Sequence, residues 1–172
     1  MAGFFRTYRI EADERIDGIF FLAFIHNGPY QLSPISVYKD GMINCWGLVD
    51  FEGFKEKVRS GWLVTQPPEG AQLSIAFLAD FHAVNAHYWI DPEELIKEVA
   101  DEIEELNGRP STSDKCHAVW KEFQSNPTEE AKAKLKAAYE AIPKHNRRYV
   151  LGDMDTKDWP IYYTLYPSDE DA

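Results

Sequence analysis

Two reverse-turn pairs, Asn27-Gly28 and Asp40-Gly41, separate apolar runs near the start of the chain, and they constrain its fold more than any other feature. Ile16 to His26 is dense in isoleucine and phenylalanine. Tyr30 to Tyr38 follows the first turn and Met42 to Val49 the second. Short apolar runs joined by such pairs read as a β-meander. Pro34 asks for an edge position or a bulge, because it cannot donate to a sheet ladder. Phe4 to Ile10 adds an edge strand before the meander. Asp50 is an N-cap for a helix to Ser60, with Phe51, Phe54 and Val58 on one face and Gly61 at its end. Trp62 to Gln66, the alternation of Leu73, Ile75 and Phe77, and His82 to Ile90 supply further strands.

The second half reads as helices. Asp91, Pro92 and Glu94 open a helix that Asn107-Gly108 closes. A second runs from about Ser113 to Gln124, burying Cys116, Val119, Trp120 and Phe123. A third starts at Asn126 and buries Leu135, Ala138, Tyr139 and Ile142 before Pro143. Arg147 to Leu151 and Ile161 to Tyr166 look like closing strands. Strands followed by helices give an α+β fold: an antiparallel meander sheet packed against about three helices, with one or two closing strands. With 172 residues, no repeat and no long linker, residues 1–172 read as a single domain.

Charge is distributed unevenly. The net charge is −11, and the helix from Asp91 to Leu106 holds eight carboxylates against Lys97. Glu94, Glu98, Asp101 and Glu105 recur at i, i+4, i+7 and i+11, a spacing at which like charges cost a helix about 0.2–0.5 kcal/mol per pair. Such a row is either offset within the fold or kept for a partner. Left facing water, it would dock a basic protein. Nucleic acid and anionic membranes are repelled by this balance. The longest apolar run, Ile19 to Ile25, is too short to span a bilayer. No signal-peptide pattern stands at the N-terminus, and Cys45 and Cys116 are too few for a disulfide framework. These features point to a soluble cytoplasmic protein with free thiols.

One segment could hold a metal. Asp153, Asp155 and Asp158 form D-x-D-x-x-D, three oxygen ligands for Mg²⁺ or Ca²⁺, with His145 as a proton carrier. A polar turn with aspartates capping backbone N–H groups accounts for the same residues. The histidines do not chelate together: His82 and His87, five apart, fall on opposite faces of a strand. Cys116 shares an apolar stripe and reads as a buried thiol. There is no G-x-S-x-G, Walker A, G-x-G-x-x-G or H-E-x-x-H, so no motif asks for a cofactor. Trp46, Trp62 and Trp89 lie in or beside strands, where packing comes first and interface anchoring second.

Trp46-Gly47-Leu48-Val49-Asp50-Phe51-Glu52-Gly53-Phe54 and Leu151-Gly152-Asp153-Met154-Asp155-Thr156-Lys157-Asp158-Trp159-Pro160-Ile161 resemble an uncharacterised family of bacterial single-domain proteins. That resemblance implies no activity. In size and acidity the chain is similar to toxin-immunity proteins. Two functional readings follow: a non-catalytic acidic binding module, such as an immunity or inhibitor protein for a cationic partner, and a metal-assisted hydrolase using the aspartate cluster. A homodimer through an aromatic surface is a third.

Overall fold

In this computed structural model, which describes residues 5–152 and 157–167, β2 (Glu14–His26) and β3 (Tyr30–Tyr38) form the first hairpin of the expected meander, and β1 (Phe5–Glu11) is the edge strand before it. β1 and β2 pair antiparallel from Phe5↔Phe20 to Glu11↔Glu14, and β2 and β3 from Gly18↔Tyr38 to His26↔Tyr30. Gly28, at φ +82°, takes the left-handed conformation that the tight β2–β3 connection needs. The chain divides into two compact units, Met1–Gly108 and Arg109–Ala172, where the sequence reads as one domain.

The first unit continues with β4 (Ile43–Asn44), β5 (Leu48–Val49), α1 (Phe51–Arg59), β6 (Leu63–Val64), β7 (Gln72–Ile75), β8 (Ala79–His82) and α2 (Pro92–Leu106). The long β2–β3 hairpin is the axis of the sheet. β6 extends the edge of β2 that β1 also occupies, while β4 and β7 share the outer edge of β3. The β3–β7 pairing is parallel, so the expected antiparallel sheet carries one parallel ladder.

Side chains alternate across the hairpin. Phe21, Ala23 and Ile25 of β2, with Ile35 and Val37 of β3, are buried against Phe54 and Val58 of α1 and Leu95, Ile96 and Val99 of α2. Phe20, Leu22 and Phe24 point to the opposite face and stay partly or largely exposed.

Several expected strands are shorter than the sequence suggests, and of Trp62 to Gln66 only Leu63–Val64 is strand. Met42 to Val49 breaks into β4 and β5, because Trp46 (φ 60°) and Gly47 (φ 147°) turn the chain sharply. The Asn44 side chain holds that turn by accepting from the Gly47 N–H at 3.2 Å. The Leu73–Phe77 strand stops at Ile75, since Phe77 sits at φ 60°. His82 to Ile90 is irregular after β8.

The second unit holds α3 (Thr112–Ser125), α4 (Glu129–Ala141), α5 (Lys144–Arg147) and α6 (Trp159–Leu165). α3 opens with a complete capping box between Ser111 and Asp114. α4 starts later than Asn126, because Thr128 supplies the cap and accepts from the Ala131 N–H at 3.1 Å. The core joins Cys116, Leu135, Tyr139, Ile142, Val150, Ile161 and Leu165. The two closing strands are not formed. Ile161 and Leu165, four apart, are both buried, and that one-turn spacing makes 159–165 a helix in spite of its aromatic and β-branched composition. Arg147 to Leu151 is the end of α5 and the turns after it. Among the described residues no helix is long and apolar enough to cross a membrane.

Candidate functional site

α2 carries the four carboxylates that the sequence singles out, and they do not form a solvent-facing row. Glu94 is 5% and Glu98 2% exposed, Asp101 is half-buried, and Glu105 is exposed. Asp91 caps the helix by accepting from the Glu93 N–H at 3.0 Å, one residue before the Glu94 of the expected capping box. A one-sided amphipathic reading fails for a geometric reason. At 100° per residue the buried positions 94, 95, 96, 98 and 99 span about 200° of the helix, more than half its circumference. Lys97, three residues on, donates to Glu94 at 2.9 Å. Glu105 lines a groove of about 360 Å³ together with Arg6, Arg15 and Asp17, so cations of the same unit stand near it. Glu93, outside the row, is held in a two-pronged pair by Arg59, at 2.9 and 3.0 Å.

Glu102 records the electrostatic cost of this helix. Its carboxyl is pushed up to about 7, first by burial and then by Glu105, Glu98 and Asp101. The folded state therefore holds a proton that the unfolded chain, with an ordinary value of 4.5, has released. The sign follows: stability is highest below about pH 4.5 for this group, falls as pH rises toward 7, and levels off above. Glu102→Gln should flatten that slope and raise stability near pH 8 by about 1 kcal/mol, after discounting for solvent screening of a partly exposed group. Urea unfolding at pH 5 and pH 8 checks it. A variant no more stable than wild type at pH 8 contradicts the assignment.

The aspartate cluster is not assembled among the described residues. Asp153 and Asp155 lie outside them, and Asp158 accepts from the Tyr139 hydroxyl at 2.5 Å. Burial, followed by that bond, raises the Tyr139 phenol. No cluster of three His, Cys, Asp or Glu that could hold a metal ion occurs among the described residues. Cys45 and Cys116 are both buried, and burial pushes the Cys116 thiol up to about 11, away from thiolate chemistry.

The outer face of the sheet presents what the helix does not. Phe5 and Phe20 stack there at 5.3 Å, and Leu22 is 55% exposed. His87 to Ile90, with Leu22, Phe24 and Thr65, line a groove of about 180 Å³. Trp89 is 81% exposed, with the His87 ring edge-on to it at 4.7 Å. The Tyr88 hydroxyl and Thr65 Oγ1 are buried beside the groove without a hydrogen-bond partner among the described residues. The signal for this face is in the sequence: Ile19 to Ile25 is apolar at every position, so both faces of β2 are apolar and α1 and α2 cover one of them.

Residues 6–110 match the family model described as Domain of unknown function (DUF7638). The chain belongs to the DUF7638 family. Residues 111–172 match a second model, Domain of unknown function (DUF7639). The junction between the two falls beside the division of the fold at Gly108 and Arg109. The expected membership of a family without an assigned function is thereby met. No curated protein and no solved structure matches the chain. The apolar sheet face and α2 both belong to the DUF7638 part, whereas Asp158 belongs to the DUF7639 part.

Proposed function

We propose that the chain is a non-catalytic protein-binding module, and that the outer sheet face around Leu22 and Trp89 docks a basic protein. The exposure of these two large apolar side chains on one groove is the observation that carries the reading. Aromatic and aliphatic anchors in a partly desolvated groove are the usual source of interface energy. Charge selects the occupant. Residues 1–108 hold 8 lysines and arginines against 18 carboxylates, a balance of −10. A second copy would meet that charge with its own, whereas a cationic protein would be steered toward it. An inhibitor or immunity role against a cationic partner suits this chemistry. The acidity of α2 then acts as a field and not as a row of contacts, since Glu94 and Glu98 are buried.

Immobilised full-length chain should retain, from a lysate of its source, a protein with an excess of lysine and arginine that mass spectrometry identifies. The Leu22→Glu, Trp89→Ala double variant should release it, with an unchanged circular dichroism spectrum. Retention of the same protein by the double variant would remove the sheet face from the account. Concentration-dependent dimerisation of the chain alone, abolished by the double variant, would replace the basic partner with a second copy.

A further inference from the structure

The second unit holds a pocket of about 330 Å³ whose lining is basic and aromatic: Tyr139, Lys144, Arg147, Arg148, Asp158, Trp159, Tyr162 and Tyr163. Its size lies within the range of small-molecule sites. Arg147 is fixed before any ligand arrives. Its Nε donates to the Ile142 carbonyl at 3.0 Å, its Nη2 to the Glu140 carbonyl at 2.9 Å, and its guanidinium lies 5.3 Å from the Tyr139 ring centre. Arg148 is exposed beside it, over the Tyr149 ring. Among the described residues neither arginine makes an ion pair, so their charges are turned to backbone dipoles, ring faces and the pocket. Asp158, the carboxylate in the lining, already accepts from Tyr139. Trp159 and Tyr163 are exposed on the wall, and the Tyr162 and Tyr163 rings meet edge-on at 5.8 Å.

We propose that this pocket binds a small planar ring bearing a phosphomonoester. Arginine pairs with phosphate oxygens in a two-pronged fork, and a planar ring stacks on tryptophan or tyrosine. Neither half suffices alone: inorganic phosphate leaves the aromatic wall bare, and an uncharged ring leaves the arginines without an anion. The chemistry has two sources, a free mononucleotide and a phosphotyrosine side chain.

Calorimetric titration of the full chain distinguishes them. Adenosine monophosphate and O-phosphotyrosine are the probes, with adenosine, tyrosine and inorganic phosphate as controls. At least one probe should saturate at one site per chain, about tenfold or more tighter than its uncharged ring or phosphate alone. Which one saturates names the source. Arg148→Glu and Trp159→Ala, both at exposed positions, should each weaken it by about tenfold or more without altering the melting curve. The proposal is overturned if neither probe saturates at millimolar concentration, if inorganic phosphate binds as tightly as the probes, or if binding persists in both variants.

Discussion

Gly18→Ala is expected to destabilise the first unit by about 3 kcal/mol, read as a lower urea midpoint at an unchanged slope. Gly18 sits in the middle of β2 opposite Tyr38. A Cβ there would lie 2.4 Å from the Val37 carbonyl oxygen and 2.8 Å from Tyr38 Cδ1. The first neighbour is backbone in the central hairpin and cannot move without breaking the ladder. The ring of Tyr38 is itself covered by the Arg9 guanidinium, 5.0 Å from its centre, and Arg9 is held by Glu11 and Asp40. Relief by rotating the ring would disturb that cluster as well. A variant as stable as wild type would mean that the β2–β3 ladder is looser than described.

Phe54→Ala should cost more, about 4 kcal/mol. Phe54 is completely buried in the core between the sheet and the helices of the first unit, where it meets Phe51 at 6.3 Å. The cavity would be lined by strands on one side and by α2 on the other, so no single mobile segment can collapse into it. Chemical denaturation reads the loss directly, and a cost below about 1 kcal/mol would place the side chain outside the core.

Much of the fold was legible in local chemistry. Asn27-Gly28 and Asp40-Gly41 gave the hairpins, and Asp50 and Asp91 gave the starts of α1 and α2. What failed were segments where local and tertiary preferences disagree. Residues 161–166 have strand-like composition, but burying Ile161 and Leu165 together requires a helical turn. Trp46 and Phe77 adopt positive φ, a conformation that nothing in a large aromatic residue announces. A period of 3.6 puts the acidic row in water only if one face of the helix is covered; buried Glu94 and Glu98 show more than one covered. The apolar sheet face is visible as an unbroken run from Ile19 to Ile25, but sequence cannot say which face of a strand receives a helix. The pocket around Arg147 and Arg148 had no motif, since its aromatic wall comes from α6, more than ten residues along the chain.

Docking of a basic protein on the outer sheet face is tested most directly by titrating the captured partner against wild-type chain and against Leu22→Glu at low and physiological salt. Binding to the wild type should weaken as salt rises, and Leu22→Glu should lose about tenfold or more at both salts. Equal affinity for the two proteins, or an affinity indifferent to salt, would contradict the account.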